Sequence, residues 1–147
     1  MNLFGQQDTS MFFLLKNRSK RDTLFVKNIG HGFYDYGLIW KKDTIVKDLH
    51  YGSIHGFIGS IDTLQWSNLF LLNSSDAGDG CPVLYRLLAF KGNTDYFLSE
   101  LFGNCNGLDR IKYYYPKMSF YFEGFREANR KRTHFIFDTQ KYTLTKK

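Results

Sequence analysis

Short apolar runs alternate with clusters of charged and turn-forming residues along this chain, the pattern of an all-β domain. "MFFLLK" (11–16) and "TLFVKN" (23–28) predict two strands joined by the polar, basic "NRSKRD". "GLIWKKDTIVKDL" predicts a hairpin, with 38–40 as one arm, 41–43 as the polar turn and 44–49 as the other arm. "SNLFLLN" (67–73) predicts a short buried strand, and "SSDAGDG" (74–80) is a loop by composition. "CPVLYRLLAF" and "DYFLSELF" predict a second hairpin around "KGNT". "RIKYYYPKMSFYF" predicts two strands broken near Pro116, and "THFIFD" and "KYTLTK" a final pair around a polar turn. One segment departs from this rhythm. "EGFREANRKR" (123–132) has no strand alternation, and its Arg, Glu, Ala and Lys favour helix. The predicted fold is therefore mainly β: an antiparallel sheet, or a sandwich- or barrel-like domain, with one short helix near residues 123–132.

Composition supports that reading. The 147 residues include 15 Phe, 10 Tyr and 2 Trp but only 2 Pro. Rings and β-branched side chains suit a pleated, half-buried surface. The length fits one β-rich domain over residues 1–147, and no repeat or linker interrupts it. The longest apolar runs are about five residues, far short of the ~20 that a membrane-spanning helix needs. The first twenty residues show no basic n-region followed by an apolar core, so a secretory signal is not visible in this numbering.

Charge is unevenly spread. Residues 1–105 carry 10 basic and 10 acidic side chains, whereas residues 106–147 carry 10 basic against 4 acidic. The whole net charge of +6 therefore belongs to the last third. Such a face attracts nucleic acid, an anionic membrane or an acidic protein, unless it is simply a solvated surface.

The two cysteines, Cys81 and Cys105, decide the compartment. If the arms around "KGNT" pair with 92–94 as the loop, Lys91 faces Asp95. An unbroken ladder in that register then brings Cys81 opposite Cys105, within reach of a disulfide. Closing that 25-residue loop would contribute roughly 3.5 kcal/mol in the chain-entropy model. The rival readings are two packed thiols or a metal site. Metal would require four ligands, and no C-x-x-C or His-x-x-x-His cluster supplies them. A bridge implies an oxidising compartment, periplasmic or secreted, with the export signal absent from this numbering; unbridged thiols imply the cytoplasm.

"GDGCPVLYR" followed by "FGNC" resembles a group of small exported bacterial proteins of uncharacterised function. Their pattern is a Gly-rich loop, Cys-Pro, an apolar strand ending in an aromatic–Arg pair, and a later Phe-Gly-x-Cys. Gly78, Gly80, Cys81, Pro82, Tyr85, Arg86, Phe102, Gly103 and Cys105 match it, within residues 69–125. The resemblance implies export and a disulfide. It carries no activity.

Catalytic and cofactor signatures are weak. From Asp76, the third position of a calcium loop falls on Gly78 and the twelfth on Leu87, so the EF-hand spacing fails. Neither a G-x-S-x-G elbow nor a phosphate-cradling glycine motif occurs, and no cofactor is expected. His55 with Ser53, or Ser60 with Asp62, is the residual hydrolase reading. His134 lies inside an apolar run and is expected to pack in a strand.

Two polar features remain. In a helix, Arg126 and Arg130 share a face at i, i+4, and Lys131 and Arg132 extend the patch. "IKYYYPK" sets three tyrosines between lysines, either a base-stacking surface or an alternating strand with Tyr113 and Tyr115 on one face and Tyr114 on the other. The expectation is a non-enzymatic exported protein-binding domain, in concrete form an immunity or inhibitor protein that neutralises a toxin or wall-active enzyme. Its Arg126, Arg130, Lys131 and Arg132 would meet an acidic partner surface. The alternatives are a cytosolic nucleic-acid-associated module using the basic last third, which an exported location would disfavour, and a hydrolase with an unrecognised site.

Overall fold

The computed structural model describes residues 12–15, 22–30, 36–56, 69–74, 84–91, 95–104, 107–124 and 132–147. They form β1 (Phe12–Leu15), β2 (Asp22–Asn28), β3 (Tyr36–Trp40), β4 (Asp43–Gly56), β5 (Leu69–Ser74), β6 (Tyr85–Lys91), β7 (Asp95–Leu98), β8 (Leu108–Tyr114), β9 (Lys117–Phe122), β10 (Thr133–Asp138) and β11 (Thr143–Lys146). All pairings are antiparallel, and each joins neighbours in the chain. β1 to β7 make a seven-stranded sheet, and β8 to β11 a four-stranded one. The fold is mainly β, as the alternation indicates. Among the described residues there is no helix. The helix expected at 123–132 falls mostly on residues outside that set, and the described Glu123, Gly124 and Arg132 are not helical. Gly124 explains part of this, since glycine is a poor helix former.

The first sheet curls around its own concave face. Trp40 on β3 and Phe90 on β6 have ring centroids 5.0 Å apart, although β4 and β5 lie between their strands. In a flat sheet three strand spacings would separate them by roughly 14 Å. Tyr96 on β7 also meets Trp40, edge-on at 5.7 Å. Leu24, Val26, Leu38, Val46, Leu49, Phe70, Leu72 and Leu88 complete this inner core. A bulge on β4 makes it possible. The register shifts between the pairs Tyr36/Leu49 and Leu38/Val46, so two residues three apart both point inward.

The second sheet covers the convex side of β5 and β6. Leu69, Leu71, Tyr85, Leu87 and Ala89 meet Met118, Phe120, Phe122 and Phe137 in a separate cluster. β5 and β6 are thus apolar on both faces, which is why "LFLL" and "LLAF" read as continuous runs rather than alternations. Each fully buried leucine there contributes roughly 1.5–3 kcal/mol. Phe102 joins the halves, with Phe120, Phe122 and Phe135 around it at centroid distances of 5.3 to 5.8 Å.

The hairpin between β3 and β4 turns on Lys41 and Lys42, at φ of 49° and 71°. Two left-handed residues match the twist of a two-residue hairpin, a place usually taken by Asn-Gly. The Lys41 ammonium lies 4.5 Å from the Trp40 ring centroid, over the end of the inner core.

The β6–β7 hairpin follows the predicted register from Lys91/Asp95 to Leu88/Leu98. There the ladder slips. Ser99 turns its side chain into the sheet: the Leu87 N–H donates to Ser99 Oγ at 2.8 Å, and the Ser99 N–H donates to the Leu87 carbonyl at 2.9 Å. Beyond it Tyr85 pairs with Phe102, one residue out of the original register. The ladder that would face Cys81 with Cys105 is therefore not unbroken. Both cysteines lie outside the described residues.

Candidate binding face

Alternation along β8, β9 and β10 sends Met118, Phe120, Phe122, Phe135 and Phe137 to the shared core. The intervening residues form the outer face of the second sheet. Its cross-strand rows follow from the registers. Arg110, Tyr121 and His134 make one row; Lys112, Ser119 and Ile136 the next; Tyr114, Lys117 and Asp138 the third.

The first row is a stack. The Arg110 guanidinium lies 4.6 Å from the Tyr121 ring centroid. On the other side His134 stacks on the same ring, with centroids 4.2 Å apart and planes 14° from parallel. Tyr121 is thereby sandwiched and offers neither face to a ligand. Burial, and then the nearby Lys147 ammonium, hold the His134 imidazole below its usual pKa. Its Nε2 is buried with no hydrogen-bond partner. The sequence expectation that His134 packs in a strand holds in part, but it packs on the outer face.

The third row ends in a braced tip. The Tyr115 to Pro116 peptide is cis and forms the turn between β8 and β9. Against it lies the β10–β11 turn. Thr139, buried, donates both its N–H and its hydroxyl to the Pro116 carbonyl, at 2.8 and 2.7 Å. The Gln140 amide donates to the Tyr115 hydroxyl at 2.8 Å. Asp138 Oδ1 accepts the N–H groups of Gln140 and Lys141 at 2.9 and 3.0 Å, which closes the second turn. Those bonds and the neighbouring Lys141 and Lys117 charges keep its carboxyl below the usual carboxylate range. The Thr139 and Gln140 bonds tie the β8–β9 turn to the β10–β11 turn.

On this braced frame two rings are left in water: Tyr114 is 75% and Tyr115 is 59% exposed. Lys117 faces Tyr114 across the ladder, Lys112 lies two residues before Tyr114 on the same strand, and Lys141 lies in the β10–β11 turn; all three are exposed. Tyr113 packs against the core. Tyr115 does not share its face, because it sits in the turn rather than in the strand; this corrects the simple alternation.

A second polar feature belongs to the first sheet. Arg86 reaches across β5 to Asp48, donating from Nη2 to Oδ2 at 3.0 Å and from Nε to both oxygens at 3.3 Å. Its Nη1 also donates to the Ser99 carbonyl at 3.3 Å. The aromatic–Arg pair of the exported-protein pattern is thus structural here: Tyr85 fills the outer core, and Arg86 ties β4 to the Ser99 bulge. Gly103 of the same pattern has a φ of +123°, a region that only glycine adopts comfortably.

Of the expected partner-binding residues, Arg132 is exposed immediately before β10, and Arg126, Arg130 and Lys131 lie outside the described residues. His55 sits on β4 opposite Leu71. Ser60 and Asp62 lie outside the described set. Among the described residues no group of three His, Cys, Asp or Glu could hold a metal ion, and no helix is long and apolar enough to cross a membrane. The Arg110/Tyr121/His134 stack escaped the sequence reading. Its signal was present, since a two-residue turn at Tyr115 and Pro116 already sets Arg110 opposite Tyr121. Comparison with protein families, curated proteins and solved structures gives no match to this chain.

Proposed function

We propose that this protein acts by binding, with the curled sheet as scaffold and the outer face of the second sheet as the surface that captures an anionic macromolecule. The observation that carries the reading is the tip: Tyr114 and Tyr115 are 75% and 59% exposed, while Thr139 holds the Pro116 carbonyl of the turn and the Gln140 amide holds the Tyr115 hydroxyl. Large exposed rings carried on a tied turn, with lysines on the same face, lose less conformational entropy on docking than rings on a free loop. The basic excess of the last third gives the face its sign.

The exported, toxin- or enzyme-neutralising form of this reading adds Arg126, Arg130, Lys131 and Arg132 and depends on a bridge between Cys81 and Cys105. The described part of that patch is Arg132. The tip stands independently of it.

Retention on immobilised heparin tests the reading. The wild-type chain should bind at low salt and elute as salt rises. The triple variant Lys112→Gln/Lys117→Gln/Lys141→Gln should elute earlier while keeping its thermal midpoint. Unchanged elution of that variant would remove this face from the proposal.

A further inference from the structure

The geometry points to single-stranded nucleic acid as the ligand of this face, with bases stacked on Tyr114 and Tyr115 and the phosphate backbone held by Lys112, Lys117 and Lys141. The inference rests on the anion-capturing reading above and narrows it. Two observations favour a nucleic acid strand over an acidic protein. First, the exposed groups are two consecutive rings rather than an aliphatic patch, and any base can stack on a ring face. Second, the cations at the tip are all lysines. Lysine is depleted at protein–protein interfaces, whereas compact ammonium charges serve phosphate contacts well.

The two rings have different settings. Tyr114 projects from the last residue of β8, and Tyr115 from the turn with its hydroxyl held by Gln140. A strand running over the tip can therefore meet two successive rings that differ in direction. Duplexes hide their base faces and should bind less well.

The test is fluorescence anisotropy with a labelled oligodeoxythymidine about 15 nucleotides long, in ~50 mM salt. Wild-type protein is expected to bind it more tightly than a duplex of the same length. Tyr114→Ala and Tyr115→Ala should each weaken binding roughly fivefold or more, with Tyr114→Phe close to wild type. Lys112→Gln, Lys117→Gln and Lys141→Gln should each flatten the dependence of log affinity on log salt by about 0.7. Circular dichroism and thermal melting of each variant show whether its fold is intact. Polyglutamate and heparin serve as anions without bases. If they bind as tightly as the oligonucleotide, and the tyrosine variants bind all three like wild type, base stacking is overturned while anion capture stands. If none of the three polyanions binds, both readings fall together.

Discussion

The two sheets use the same residue types in opposite ways. In the first, Trp40, Phe70 and Phe90 turn inward and meet one another across a curled surface. In the second, phenylalanines supply the inner face, while Tyr114, Tyr115 and Tyr121 are left on the outer side or at its tip. The difference follows from covering. The central strands β5 and β6 are buried on both faces and can only serve as scaffold. Among the described residues the second sheet has one covered face, and its other face carries charge and rings. The charge bias follows the same division, because the neutral first 105 residues build the first sheet and the basic remainder builds the second.

The sharpest way to break that division is through Phe102, which belongs to neither sheet yet packs against strands of both. Phe102→Ala should cost about 3–5 kcal/mol in denaturant unfolding, through lost burial and the cavity left behind. A loss below about 1 kcal/mol would show that the two halves do not depend on this ring. A smaller effect is expected at the bulge. Ser99→Ala removes the acceptor for the buried Leu87 N–H and should cost about 1–3 kcal/mol. If Ser99→Ala is neutral, another acceptor takes that N–H, and the bulge does not need serine.

The smallest effect concerns the outer face. His134 has its folded pKa below the ordinary 6.5, through burial and the Lys147 charge. The unfolded chain therefore binds more protons at this site as pH drops, and stability rises with pH across that interval. The contribution of a neutral His134 should be complete above about pH 6.5 and fade on acidification below it. His134→Gln should flatten that part of the pH–stability curve, read as the urea midpoint at several pH values. An equally steep acid limb in the variant would assign the dependence to other groups.

Much of this architecture was legible in the residues. The runs at 23–28, 38–40 and 133–138, the doubly buried "LFLL", the Lys91/Asp95 register and the break at Pro116 all follow from apolar spacing and turn chemistry. What escaped was set by tertiary demand. The bulge between Val46 and Leu49 answers the curvature of the sheet, which no local pattern encodes. Ser99 reads as one more small polar residue until its hydroxyl is seen to replace a ladder partner. β4 continues through "HYGSIHG", whose two glycines argue against a strand, because pairing with β5 overrides their propensity. The candidate face was half visible. The tyrosine–lysine run was recognisable, but Tyr115 leaves the alternation because the turn begins there.

The strand order has a consequence for how the chain reaches this state. Among the described residues every ladder connects strands that follow one another in the chain, so each pair can close without waiting for a distant partner. All-β proteins are usually slow because they must first join remote segments. A meander escapes much of that delay, and during synthesis the curled sheet can zip from its amino-terminal end before the lysine-bearing strands have left the ribosome.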